Sequence, residues 1–96
     1  MRFKKSRSDY PSGILAIYDN GGRTRDRYCV VFSPIVSDGR QWFTTMYMSE
    51  HPTHPQGIGL TGEHATRPTR GRGDRVISLD SLPADCRECV EGYLSV

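Results

Sequence analysis

Long apolar runs are missing from this sequence. No stretch approaches the roughly 20 residues that a membrane-spanning helix needs, so no membrane partner is expected. Cysteine is scarce and odd in number, with only Cys29, Cys86 and Cys89, which fits reduced thiols better than a disulfide framework. The opening Met-Arg-Phe-Lys-Lys-Ser-Arg lacks the apolar middle of a secretory signal, and a cytoplasmic location is the expectation. Length is short as well. A chain of 96 residues holds one domain and leaves no room for a doubly wound dinucleotide fold or a (β/α)8 barrel. Apolar residues make up 35% and aromatic residues 9%, lean values that still lie far from the composition of disorder. The core must therefore be small, with a thin margin that a homodimer or another partner could raise.

Charge of one sign is not in large excess either: the net charge is +2, too mild by itself to imply nucleic acid. Its distribution is more informative. Residues 1–48 carry 8 basic and 4 acidic side chains and residues 49–96 carry 5 and 7, so the basic excess is local. It falls in Arg2, Lys4, Lys5 and Arg7, in Arg23, Arg25 and Arg27, and in Arg67, Arg70, Arg72 and Arg75. Patches of this kind matter more than the total.

Residues 1–12 are polar and basic and run into Pro11-Ser12-Gly13, which reads as a flexible basic arm before a single compact domain over 13–96. Ile14 to Tyr18 and Arg27 to Phe32 are strand-like runs, separated by Asp19-Asn20-Gly21-Gly22, the densest turn signal in the chain. The loop between them is longer than a two-residue turn, so Arg23 and Arg25 should project at its tip. Pro34 and Ser37-Asp38-Gly39 break the chain, and Gln41 to Met48 then alternates with bulky residues on both faces, the pattern of a central strand. Residues 49–74 read as one long irregular loop. Loops of that length are usually functional or disordered.

Arg75 to Leu79 reads as a last strand, after which Asp80 or Ser81 should cap a helix with Pro83 in its first turn. Leu82, Cys86, Cys89, Val90 and Tyr93 form one apolar stripe at helical spacing. The expected fold class is α+β: a small antiparallel sheet of three or four strands with one C-terminal helix, the second choice being a partly open barrel.

Several motifs fail in context. Gly57-Ile-Gly-Leu-Thr-Gly62 spells the phosphate-binding string, but no strand is read before it and no helix after it, so no cofactor is expected. Arg72-Gly73-Asp74 is a chance tripeptide. His51 and His54 with Cys86 and Cys89 offer the ligand types of a zinc site. Both cysteines, however, lie on the apolar stripe, where a thiol acts as a small hydrophobe, and zinc stays the weaker reading. Cys29 lies inside an apolar strand, where a thiol is usually inert, so no catalytic residue is assigned. The strip Arg67 to Arg75, in contrast, places four guanidinium groups on a glycine-containing segment that could adapt to phosphates.

Ile17-Tyr-Asp-Asn-Gly-Gly22, Asp26-Arg-Tyr28, Val31-Phe32, Met48-Ser49, His54-Pro-Gln-Gly57 and Leu82-Pro83 together resemble a family of small, uncharacterised phage and mobile-element proteins. The resemblance spans roughly residues 17–90 and implies a mobile-element origin, hence the host cytoplasm, and one compact domain; it supplies no activity. Together with the small size and the missing catalytic geometry, the expectation is a non-enzymatic accessory protein that binds a host macromolecule, as an inhibitor or modulator of a host protein, with a nucleic-acid-binding module as the alternative. The candidate contact residues are Asp19, Asn20, Arg23, Arg25, Arg27, His54, Gln56, Arg67, Arg70, Arg72 and Arg75. A site joining Tyr18, Asp19, Asn20, Arg27, His54 and Gln56 requires the 20–27 and 49–57 loops to meet at one end of the sheet.

Overall fold

A computed structural model of the chain describes residues 10–55, 57 and 59–95. Among the described residues there are six strands, β1 (Ile14–Asp19), β2 (Tyr28–Phe32), β3 (Ile35–Ser37), β4 (Arg40–Met48), β5 (Gly59–His64) and β6 (Arg75–Val76), followed by one α-helix, α1 (Ala84–Leu94). All strand pairs are antiparallel. The architecture is thus α+β with a C-terminal helix, but the sheet has six strands rather than three or four. Its order is open, with β5 on β4 at one side and β6 on β1 at the other, so among the described residues the strands do not close into a barrel.

The central strand is β4. It pairs with β2 through Thr45 to Met48 and with β5 through Phe43 to Met48. β3 continues β2 along β4: Val31 faces Thr45, and four residues on Ile35 faces Trp42, so one extra residue bulges out around Ser33 and Pro34. Asp38 and Gly39 have positive φ and link β3 to β4 as a two-residue hairpin turn. The pair β3 and Arg40 to Trp42 therefore extends past the other strands as a two-stranded ribbon, and Ile35 and Val36 on it are exposed.

Two departures from the expected element boundaries have local causes. The segment read as one loop over 49–74 contains β5, whose residues Gly59-Leu-Thr-Gly-Glu-His64 are mostly exposed and form a strand because the edge of β4 offers them a partner. The helix starts at Ala84, after a short 3-10 turn at Leu79–Ser81, and Pro83 stands at its N-cap. Pro83 has no N–H to lose there, and its carbonyl accepts from Arg87 N–H at 3.0 Å. The expected strand from Arg75 shortens accordingly to Arg75–Val76.

The main core lies between the sheet and the helix. Ile14, Ile17, Tyr28, Val30, Phe32, Met46 and Met48 meet Leu82, Cys86 and Val90. Ile14 and Ile17 share this face although they are three residues apart, because the register shifts between Ile14 and Ala16; a β-bulge changes the alternation in this way. Burying each aliphatic side chain of this kind stabilises the fold by about 1.5–3 kcal/mol. Phe32 and Tyr93 lie 4.2 Å apart between ring centroids, joining β2 to the end of α1. Ala16, Tyr18 and Val31 form a smaller cluster on the opposite face.

Of the expected arm, residues 1–9 lie outside the described residues, whereas Tyr10 packs against the main core. Its hydroxyl donates to Ile77 O at 2.6 Å and accepts from Ile17 N–H at 3.2 Å. Among the described residues no helix is long and apolar enough to cross a membrane.

Candidate functional site

The turn after β1 is built by two side chains. Asp19 is buried and accepts the Gly21 N–H at 2.7 Å through Oδ1. The Oδ1 of Asn20 accepts from Gly22 N–H at 2.8 Å and Arg23 N–H at 3.1 Å, while its amide donates to Thr24 Oγ1 at 2.7 Å. Short polar side chains satisfy turn backbone in this manner, and Gly21 and Gly22 supply the positive φ. The sequence feature Asp-Asn-Gly-Gly thus ends as a tip that carries Arg23, Thr24 and Arg25, all exposed.

Arg27 anchors the base of that tip. Its Nε donates to Asp19 Oδ1 at 2.8 Å and its Nη2 to Asp19 Oδ2 at 3.2 Å, a two-point grip that a guanidinium makes with a carboxylate. Its Nη1 reaches Glu50 Oε2 at 3.2 Å, at the start of the chain leaving β4. The guanidinium also stands 5.2 Å from the centroid of the Tyr28 ring. The hydrogen bond from Arg27 holds the Asp19 carboxyl below the usual range, against the opposing effect of burial, with Gly21 N–H and the charge of Arg75 assisting. Arg27 is in turn held protonated more strongly than an ordinary arginine, chiefly by Asp19.

The second loop is a compact double turn. His54 N–H donates to His51 O at 3.1 Å and Gly57 N–H to His54 O at 2.7 Å. A Cβ at Gly57 would overlap the His51 carbonyl, so glycine is required there by space. Two contacts tie this turn to the helix: the Cys86 thiol donates to Ser49 O at 3.2 Å, and Thr53 Oγ1 donates to Asp85 Oδ2 at 3.1 Å.

The tip and the double turn face each other across an open cleft of about 680 Å³, lined by Arg23, Arg25, Arg27, Glu50, His51 and His54 among others. Asp19 lies behind Arg27, and Asn20 shapes the tip. Gln56 falls outside the described residues. The arginine strip is only partly joined to this end. Asp74 pairs with Arg23 at 2.5 Å and closes its own turn by accepting Gly71 N–H at 3.1 Å, and Arg75 stands opposite Asp19 in the β1–β6 ladder. Arg67, Arg70 and Arg72 are exposed on the 65–74 segment and do not line the cleft. A smaller cleft of about 260 Å³ lies on the other side of the tip, between Tyr18, Cys29 and Tyr47 and the segment from Pro68 to Asp74.

The cysteines are held as thiols. Burial pushes the Cys86 thiol up to about 12 and that of Cys29 up to about 11, the latter offset in part by a hydrogen bond with Tyr47. Burial raises Cys89 as well. A thiolate nucleophile needs the opposite shift. Among the described residues no group of three or more His, Cys, Asp or Glu side chains is placed to hold a metal ion. His64 lies on the face of the sheet away from the helix, its Nε2 3.1 Å from Thr45 Oγ1 and 3.4 Å from Tyr47 Oη. Glu50 is the site residue that sequence reasoning missed. It follows the last strand residue by two positions, and no motif marks it; only the spatial approach of Arg27 gives it a role.

No known protein family, no curated protein and no solved structure matches the chain.

Proposed function

We propose that the protein is a non-enzymatic accessory protein of a phage or other mobile element, and that it acts by binding a host protein with the charged end of its sheet. The observation that carries this reading is the cleft: two loops from separate parts of the chain converge there and present arginines and histidines around an opening of about 680 Å³. Both walls are braced, one through Asp19 and Arg27 and the other through Cys86 and Asp85. Binding side chains on loops held by a rigid scaffold are a common arrangement. The raised thiols support a binding role over nucleophilic chemistry.

The test is capture from bacterial host lysate by the tagged full chain, with and without nuclease, alongside an Arg23→Ala, Arg25→Ala double variant. The expected result is a host protein that survives nuclease and is lost with the double variant. Capture that is indifferent to both arginines would remove the reading. A second reading, nucleic-acid binding, draws on Arg67, Arg70, Arg72 and Arg75, which are exposed on a segment that adjoins the tip through Asp74. It requires that the retained material vanish with nuclease. It also requires a steep salt dependence, with a log-log slope of about 0.9 for each phosphate contacted on duplex DNA.

A further inference from the structure

The cleft is lined by Arg23, Arg25, Arg27, His51 and His54, and among the described lining residues Glu50 is the acidic one; Asp74 pairs with Arg23 and Asp19 with Arg27 from outside that lining. The two carboxylates on Arg27 are not equivalent. Asp19 has a side chain only 9% exposed, holds Arg27 at two points and also accepts a backbone N–H. Glu50 has a side chain 53% exposed and meets Arg27 at Nη1 from the solvent side. Asp19 therefore fixes the direction of the guanidinium, while Glu50 can rotate away from it at little cost, because solvent screens an ion pair whose carboxylate is largely exposed.

We infer that Glu50 occupies the position of a ligand, and that the cleft receives an aspartate or glutamate side chain from an acidic segment of the partner protein, which replaces Glu50 on Arg27. This rests on the reading of the charged end as a binding surface and names the chemistry of what binds there. A glutamate carboxylate is the group whose fit to Arg27 the structure itself displays. The cleft volume of about 680 Å³ exceeds what a single small anion fills and suits a short peptide segment. Single-stranded nucleic acid is the poorer match, since it is normally held by aromatic side chains beside the cations, and among the described residues no Phe, Tyr or Trp lines the cleft.

The test is titration of the full chain with a hexaglutamate peptide at low salt, followed through backbone amide shifts, with oligothymidylate and inorganic phosphate as parallel probes. The expected result is saturable peptide binding with shifts in residues 22–27 and 49–57. Glu50→Gln should tighten it about two- to fivefold by removing the internal competitor, and Arg25→Gln should weaken it. Glu50→Ala, which also removes the competitor, should tighten it too and guards against an effect peculiar to glutamine. Absent peptide binding, unchanged or weaker affinity in both Glu50 variants, or tighter binding of oligothymidylate with the same dependence on Glu50, would overturn the inference. If host-protein capture still depends on Arg23 and Arg25 while the peptide fails to bind, the binding surface stands and only its carboxylate chemistry is refuted. If both fail, both are refuted.

Discussion

The two ends of β4 differ in how they are held. At Met48 the strand lies beside β2 and β5, and the chain leaving it is tied to the tip by Arg27 and Glu50 and to the helix by Cys86 and Thr53. At Arg40, which a tight turn precedes, β3 is the one strand beside it among the described residues, and Ile35 and Val36 face solvent. The exposed surface at the first end is charged and sits on cross-braced loops; at the second it is apolar and sits on a ribbon held mainly by its own hairpin. Side chains that must meet a ligand in a fixed arrangement need the first kind of support, because ordering them in advance lowers the entropy lost on binding. Exposed apolar residues occurring singly or in pairs are ordinary.

The comparison can be broken most directly at Asp19. Asp19→Ala removes both grips on Arg27 and the acceptor for Gly21 N–H, and should lower stability by about 2–3 kcal/mol in urea unfolding. A loss below 0.5 kcal/mol, the ordinary size of a surface substitution, would mean that the brace is incidental. Gly57→Ala should come next, at about 1–2 kcal/mol, since the added methyl must push against the His51 carbonyl. Its amide shifts should be concentrated in the double turn.

A smaller and pH-dependent effect follows from the lowered Asp19 carboxyl. A group whose folded value lies below its unfolded value stabilises the fold above the unfolded value and loses that contribution as pH falls through the folded one. The wild-type chain should therefore lose stability below about pH 4, and Asp19→Asn should show a shallower acid loss. Equal acid slopes would detach the pair from stability. The smallest effect belongs to the far end of β4: Ile35→Ser and Val36→Ser should each change stability by less than about 0.5 kcal/mol and leave peptide binding unaltered.

Those differences also mark how far the amino-acid pattern alone reaches. β1, β2, β4 and the apolar stripe of α1 were readable because burial imposes a period on their side chains, as in Tyr28, Val30 and Phe32 or Leu82, Cys86 and Val90. β5 was not, because its two glycines and exposed Leu60, Thr61 and Glu63 have no buried face of their own; it is a strand through the edge of β4. β3 was hidden between Pro34 and a tight turn, where three residues carry no period. At the site, Asp-Asn-Gly-Gly announced the tip, and the meeting of the two loops was the condition on which the candidate site depended. The pairing of Arg27 with Asp19 and the position of Glu50 arise from strand register and from the helix contact, which no local pattern encodes.

The most direct measurement puts a photo-crosslinking residue at position 25 in one chain and at position 36 in another, and compares the adducts each forms in a bacterial host. The account predicts a host-protein adduct from position 25 and none from position 36. An adduct from position 36 alone would contradict it and transfer the binding role to the ribbon.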